Sequence, residues 1–326
     1  MQGLVTVFGG TGFVGAQVVR ALARTGARIR VAVRNPGRGY RLRMLGDVGQ
    51  IQIVQANIRN EASIARALDG AEACINLTGV LYASARQTFH AVHLEGAAAV
   101  ARAAKARKIT RYVHMSALGA DRASPSEYAR TKAEGEQAVR DILPGAVIIR
   151  PSIVFGAEDD FFNRFGSLAT VSPVLPLIGG GETRFQPVYV ADVAAAIARA
   201  VTDPASIGQT YELGGPGVHS FRALMEMVNA VTYRHRMLVT VPWPLAGLIG
   251  VAGDLQAWVK GGVGLVPAPM LTRDQVELLK ADNVVSEGAP GLAALGVTAT
   301  AMEPILPTYM YRYRKGGQFA PEPVKV

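Results

Sequence analysis

Nine residues near the amino terminus, VFGGTGFVG from Val7 to Gly15, constrain this chain more than any other segment. An apolar run, Leu4 to Phe8, leads into them, and a helical pattern, Val14 to Arg24, leads out. At a strand-to-helix turn glycine supplies dihedrals that other residues avoid. It also admits a phosphate close to the main chain and leaves the first N–H groups of the helix facing it. Glycines at Gly9, Gly12 and Gly15 therefore predict a βα unit whose residues Gly9, Thr11, Gly12, Phe13, Val14 and Gly15 cradle a pyrophosphate. A glycine turn without a ligand is the alternative.

Further Val- and Ile-rich runs lie at Ile29–Val33, Ile51–Val54, Ala73–Leu77, Tyr112–Met115 and Ala146–Arg150, with helical patterns at Glu61–Leu68, Arg86–Ala106 and Glu127–Arg140 between them. Continuous apolar strands alternating with helices predict a parallel sheet covered on both faces, an α/β doubly wound, Rossmann-like fold. Ligands of such sheets sit outside the carboxyl ends of the strands. Beyond Gly156 glycine and proline clusters appear at Pro173–Gly181 and Gly214–Gly217. Helices are expected at Val190–Val201, Phe221–Thr232 and Arg273–Lys280, the last opened by a Thr272/Gln275 capping box. The pattern divides the chain into a nucleotide-binding domain over 1–155 and a smaller C-terminal α/β region over 156–326, substrate-like or docking in character and packed on the first.

Net charge is +9, and eight arginines precede the first acid, Asp47. Such a field draws phosphate, whether on a nucleotide, a nucleic acid or an anionic lipid headgroup. No basic-aromatic platform or zinc-finger spacing is present, which argues against nucleic acid as a partner. The one cysteine, Cys74, cannot form an internal disulfide and lies in an apolar run, as a buried thiol of a reducing compartment would. The first strand starts too close to Met1 to leave room for a cleaved leader. Leu238 to Gly253, the longest apolar stretch, is broken by Pro242 and Pro244 and closed by Asp254, short of the ~20 residues that span a bilayer. From Val239 to Trp258 it reads either as ordinary core or as a semi-buried contact with a membrane or a partner.

The second strand ends in Val33-Arg34-Asn35-Pro36. A carboxylate there would bond both ribose hydroxyls of NAD, whereas an arginine accommodates a 2′-phosphate, so Arg34 points to NADP(H), with Arg38 and Arg41 as helpers. A solvated surface arginine is the alternative. Ser124-Pro125-Ser126-Glu127 reads as a helix start, and Tyr128 and Lys132 follow four residues apart on one helical face. Glu158-Asp159-Asp160 reads as a solvated loop, because three adjacent acids cannot all face one ion. His90, His114, His219 and His235 lack metal-ligand spacing, and no G-x-S-x-G elbow is present. No metal is expected.

Taken with the glycine turn, YARTK (Tyr128 to Lys132) and VIIRPSIVFG (Val147 to Gly156) make residues 3 to 215 resemble the short-chain dehydrogenase/reductase superfamily. In its active members the ammonium of such a pair lowers the phenol's pKa and grips the nicotinamide ribose while the tyrosine exchanges the substrate proton. The resemblance implies a catalytic set of Tyr128, Lys132 and Ser116. Its cofactor contacts would come from Asn57 and Ile58 after the third strand, Thr78 and Gly79 after the fourth, Ser116 after the fifth, and Pro151 and Ile153 after the sixth, besides Tyr128 and Lys132. Two departures stand out. Ser116 is flanked by Met115 and Ala117 where active members carry several hydroxyls, and His93 occupies the place of an asparagine. LTRDQVELLKADNVVS (Leu271 to Ser286) and ILPTYMYRYRKGGQF (Ile305 to Phe319) add a narrower resemblance, to the nucleotide-binding accessory subunit of respiratory complex I in its α-proteobacterial form. That likeness implies a tightly held NADPH that takes no part in electron transfer. It also implies docking among other complex I subunits and lipid headgroups near the quinone site, peripherally on the cytoplasmic face of the bacterial inner membrane or its matrix equivalent. A freestanding NADPH-dependent reductase or epimerase using Tyr128 and Lys132 is the alternative.

Overall fold

The computed structural model describes residues 3–84, 87–263 and 269–321, with the backbone alone at 260–263. Six strands, β1 Leu4–Phe8, β2 Arg28–Val33, β3 Ile51–Gln55, β4 Ala73–Asn76, β5 Arg111–Met115 and β6 Val147–Pro151, join Thr210–Leu213 in one seven-stranded sheet. Every pairing is parallel, and the order runs from Thr210–Leu213 through β6, β5, β4, β1 and β2 to β3. The α-helices among the described residues are α1 Phe13–Ala23, α2 Glu61–Ala67, α3 Ala97–Ala106, α4 Glu127–Ile142, α5 Phe161–Val171, α6 Val190–Ala200, α7 Phe221–Thr232, α8 Trp243–Val263, α9 Arg273–Leu278 and the single turn α10 Pro307–Met310.

The doubly wound arrangement follows from strand alternation with both faces apolar. In register, Val7 sits beside Val31, and a Cβ on Gly10 would meet the side chains of both, together with Val19 of α1. The next residues along, Phe8, Ala32 and Cys74, face the opposite side and share a buried cluster with Ile64, Val100 and Val139 of α2, α3 and α4. Cys74 is fully buried, and burial pushes its thiol pKa well up, so it is the small hydrophobe its context suggests. Glu136 and Glu212 share Arg150: the guanidinium donates to Glu136 at 2.9 and 2.7 Å and to Glu212 at 3.4 Å, tying α4, β6 and Thr210–Leu213 together.

Two compact units emerge, Met1–Pro151 with Val190–Leu213 and Ser286–Thr298, and Ser152–Tyr189 with Gly214–Val285 and Ala299–Val326. A single cut after residue 155 misses this interleaving because two later segments return to the first unit. Thr210–Leu213 pairs with β6, α6 packs beside α1, and Glu212 N–H donates to Pro290 O at 2.9 Å.

The long helix expected from residue 86 also differs. Its start lies outside the described residues, and from His90 to Gly96 the chain winds as a wide π turn before α3. Gly135 of α4 backs onto this turn so closely that a Cβ would overlap the His93 carbonyl, so the widened helix and the bare glycine fit one another.

In the second unit Phe155, Phe162, Phe221, Leu224 and Tyr309 form the core, and the parallel pair Val174–Ile178 and Met237–Val241 lies beside it. The carboxy-terminal segment is pinned by polar contacts of that unit. Arg314 Nε donates to Val231 O at 2.8 Å, and Tyr309 OH donates to Asp159 at 2.5 Å. Asp159 also accepts N–H bonds from Gly156 and Asn163. The acidic triplet is therefore a solvated loop only at its ends: Glu158 and Asp160 are exposed, whereas Asp159 is buried, and burial raises its pKa against those bonds. The Thr272/Gln275 capping box forms. Pro244 falls in the first turn of α8, where a missing N–H costs nothing, so the prolines that appeared to break this segment start its helix.

Candidate functional site

The carboxyl ends of β1 to β6 carry nearly every residue singled out for cofactor contact. Gly9, at φ 80°, turns the chain out of β1, and Gly12 N–H closes the turn on Gly9 O at 3.0 Å. A Cβ on Gly15 would overlap Gly9 O, so that glycine serves the packing of α1 on the turn. Gly12 is different. Its φ of −76° suits any residue, and a Cβ would meet only Gly9 O, at an ordinary 3.4 Å. The fold gives no reason for glycine here, whereas a pyrophosphate lying over the turn would. No side chain caps α1, so the N–H groups that Phe13, Val14 and Gly15 present in its first turn are available to an anion, beside Thr11. This part of the chain fits the group.

Arg34 leaves β2 and lines a cavity of about 270 Å³ with Gln55, Asn57, Asn60, Ser63 and Arg66. Arg38 and Arg41, expected to help, sit on separate 3₁₀ turns, Pro36–Arg38 and Tyr40–Leu45, and are not among the lining residues. Ile58 packs against Gly96, where a Cβ would strike it. Thr78 donates its hydroxyl to Asn76 Oδ1 at 2.5 Å, while Asn76 Nδ2 donates to His114 Nδ1 at 3.4 Å. Burial holds His114 neutral, with its pKa pushed down to about 3.

Lys132 is only 5 % exposed and donates to Met115 O at 3.2 Å. Burial lowers its pKa to about 8, partly offset by Glu136. Its Nζ lies 5.8 Å from the Tyr128 ring centroid, and a Cβ on Gly79 would come within 3.3 Å of it, so bare backbone at Gly79 leaves the ammonium open to a ligand. Ser116 Oγ is buried and has no hydrogen-bond partner among the described residues. Leaving a buried hydroxyl unpaired costs ~1–3 kcal/mol, which a bound ribose or carbonyl oxygen would recover. Tyr128 lies 5.3 Å edge-on from the His93 ring. His93 is a fixture of the wall: its Nε2 accepts from Val80 N–H at 3.1 Å, so Nδ1 carries the proton and donates to Thr131 Oγ1 at 3.1 Å. Burial and the nearby Lys132 push its pKa down to about 2. Pro151 ends β6, and Ile153 lies two residues on, in the second unit.

Residues 5–214 match the NAD dependent epimerase/dehydratase family. The chain belongs to that family. Its sheet and glycine turn are those of this family's nicotinamide dinucleotide fold, and the resemblance to short-chain dehydrogenases/reductases holds. Over 326 aligned positions it is 36% identical to NADH dehydrogenase [ubiquinone] 1 alpha subcomplex subunit 9, mitochondrial, of Arabidopsis thaliana, covering 97% of this chain and 80% of that one. The NADH-ubiquinone oxidoreductase 40 kDa subunit of Neurospora crassa is 31% identical, with 96% and 80% covered. Among solved structures, the NADPH-dependent quinone oxidoreductase QOR2 of Escherichia coli, complexed with NADPH, superposes with a TM-score of 0.72 at 21% identity over 94% of this chain and 98% of that one. That likeness is one of fold. This family member thus has relatives in a respiratory complex along nearly its full length, well past the family's boundary at residue 214.

Sequence reading missed Arg66 and Asn76. Arg66 is one exposed arginine among many, and only folding brings it to Arg34. Asn76 acts through Thr78 and His114, and nothing in its local sequence marks that pairing.

Proposed function

We propose that this chain is an accessory subunit of a membrane-bound NADH:quinone oxidoreductase, complex I, which holds NADPH as a structural group. The observation that carries the reading is the 36% identity over 97% of the chain to subunit 9 of the mitochondrial complex, which takes in the second unit as well as the nucleotide fold. In the first unit, the turn at Gly12 would take the pyrophosphate, Arg34 the adenosine end, and Lys132 with Ser116 the nicotinamide ribose. The bound dinucleotide would supply hydride chemistry. In this role it instead satisfies Lys132 and Ser116 and braces the fold.

The second unit supports docking. Along α8 the buried face is small, Ala246, Gly250, Gly253 and Ala257, and Gly253 approaches Leu271 O too closely for any side chain. The exposed face is large and apolar, with Leu248 69% and Trp258 64% exposed beside Leu245, Ile249 and Leu255. Each such side chain would gain ~1.5–3 kcal/mol on full burial. No helix among the described residues is long and apolar enough to cross a membrane. The reading is therefore peripheral docking, α8 against partner subunits or the lipid interface and the positive charge toward headgroups.

A second reading, a freestanding reductase or epimerase, draws on Tyr128 and Lys132 sharing one helical face, with Lys132 bonded to the carbonyl of Met115, next to Ser116 in the chain. A tagged chain recovered from gently solubilised membranes separates the two. Co-purification with quinone-reductase subunits and stoichiometric NADPH supports the subunit, whereas a chain recovered alone and consuming NADPH rapidly overturns it.

A further inference from the structure

Beyond Arg34, the 270 Å³ cavity at the ends of β2 and β3 has a second guanidinium, Arg66 of α2. The side-chain acceptors of Asn57, Asn60 and Ser63 on its wall are already engaged. Asn60 Oδ1 takes Ser63 N–H at 2.9 Å, Asn57 Oδ1 takes Arg59 N–H at 3.1 Å, and Ser63 Oγ donates to the carbonyls of Asn57 and Asn60 while accepting Asn57 N–H. The side-chain groups left over are the Asn57 and Asn60 amide N–H₂ groups, two guanidiniums and one neutral acceptor, Gln55 Oε1, whose own N–H₂ donates to Arg34 O at 3.5 Å. Among the described residues neither Arg34 nor Arg66 is in an ion pair, and no carboxylate lines the cavity. A wall in which donors outnumber acceptors, with two positive charges and no acid, is complementary to a phosphate monoester, and arginine's planar fork matches its oxygens.

We infer that Arg66 is a specificity-determining residue that closes a two-arginine clamp with Arg34 on the ribose 2′-phosphate of NADP(H). The inference rests on the nucleotide reading of the glycine turn, which places an adenosine ribose at the end of β2. Arg34 comes from the strand end and Arg66 from the helix that follows β3, so the phosphate is held from two elements. Discrimination against NAD(H) then depends on both residues and fails if either is neutralised.

The test uses the full chain freed of nucleotide, with binding measured for NADPH, NADH, adenosine 2′,5′-bisphosphate and inorganic phosphate. Arg66→Gln should weaken NADPH and the bisphosphate by about tenfold to a hundredfold, the range of a lost charge-assisted contact, and leave NADH within about twofold. Arg66→Lys should recover part of the loss, and Arg38→Gln, outside the cavity, should change nothing. The clamp is overturned while the nucleotide reading survives if Arg34→Gln relaxes the preference and Arg66→Gln does not, or if Arg66→Gln weakens both dinucleotides equally. Inorganic phosphate bound as tightly as the bisphosphate, with the same dependence on Arg66, would assign the cavity to a free anion and overturn it too. If the unaltered chain binds both dinucleotides equally, the clamp falls while the nucleotide reading survives, and if it binds neither, the nucleotide reading itself falls.

Discussion

Two regions of this molecule break the burial rule in opposite directions. Around α4 the first unit encloses polar groups, Lys132, His93, His114 and Ser116, one of them without a partner. Along α8 the second unit does the reverse and turns Leu248, Ile249, Leu255 and Trp258 outward while burying glycine and alanine. Each arrangement costs the isolated chain stability, because buried polar groups lose water and exposed apolar ones order it. The difference lies in what would repay the cost. An enclosed ammonium and hydroxyl call for a polar ligand, and an apolar helix face calls for an apolar partner. Both departures thus point outside the polypeptide, to different phases.

The comparison breaks most visibly if the same substitution has the same effect in both places. Leu22→Ala in α1, where Leu22 is fully buried, should cost ~2–5 kcal/mol, read as a fall in the denaturation midpoint. Leu255→Ala in α8 should stay within about 0.5 kcal/mol, yet weaken retention of the chain on membranes. Equal destabilisation would return α8 to the ordinary core.

Next in size is the contrast between neighbouring glycines. Gly15→Val should destabilise the nucleotide-free chain by ~1–3 kcal/mol or more through overpacking. Gly12→Val should leave its melting nearly unchanged but abolish the stabilisation that NADPH confers, about 2.7 kcal/mol at a hundredfold excess over Kd. Thermal melts with and without NADPH read both, and full nucleotide occupancy in Gly12→Val would contradict the cradle.

Acid sharpens the polar side of the comparison. His93 and His114 have folded pKa values near 2 and 3 against 6.5 in the unfolded chain. The unfolded state therefore takes up protons first, and the stability that neutral histidines allow is full above pH 6.5 and lost as pH falls toward 3. Lys132 runs on the alkaline side. With a folded pKa of about 8 against 10.5 unfolded, its penalty is whole below pH 8 and relieved as pH rises through 10.5. Lys132→Met should flatten that rise and stabilise the nucleotide-free chain at neutral pH while weakening nucleotide binding. Melting midpoints from pH 4 to 10.5 decide it, and an unchanged alkaline slope in Lys132→Met would show that the ammonium is solvated.

The sheet was legible in sequence because its strands are short apolar runs alternating with helical patterns, and the positions of the candidate site residues because they sit at fixed offsets from strand ends. Both signals are local. What escaped reading depends on distant partners. Thr210–Leu213 is a strand only because β6 offers an edge. Asp159 is buried only because Tyr309, 150 positions later, reaches it. α8 was obscured by the prolines that start it, and its inverted faces, small inside and large outside, carry no periodic signal that separates core from contact. His93 stood out in the sequence only as a histidine in the place of an asparagine, and its bond to Thr131, 38 residues on, exists only in the fold.

The smallest expected effect is the most discriminating. If the polar cluster around α4 holds a nucleotide without turning it over, the phenol of Tyr128 supplies shape and an edge contact to His93, and no proton passes through it. Tyr128→Phe keeps the ring and removes only the hydroxyl. Quinone reduction by the assembled complex should then stay within about twofold, since a non-catalytic contact changes no transition-state energy. General acid catalysis contributes about 10²–10⁴-fold, so a proton-transfer role would appear as a loss of that order with NADPH content and assembly intact. The polar and apolar exceptions would then no longer be parallel, for one would be an active site and the other a docking surface.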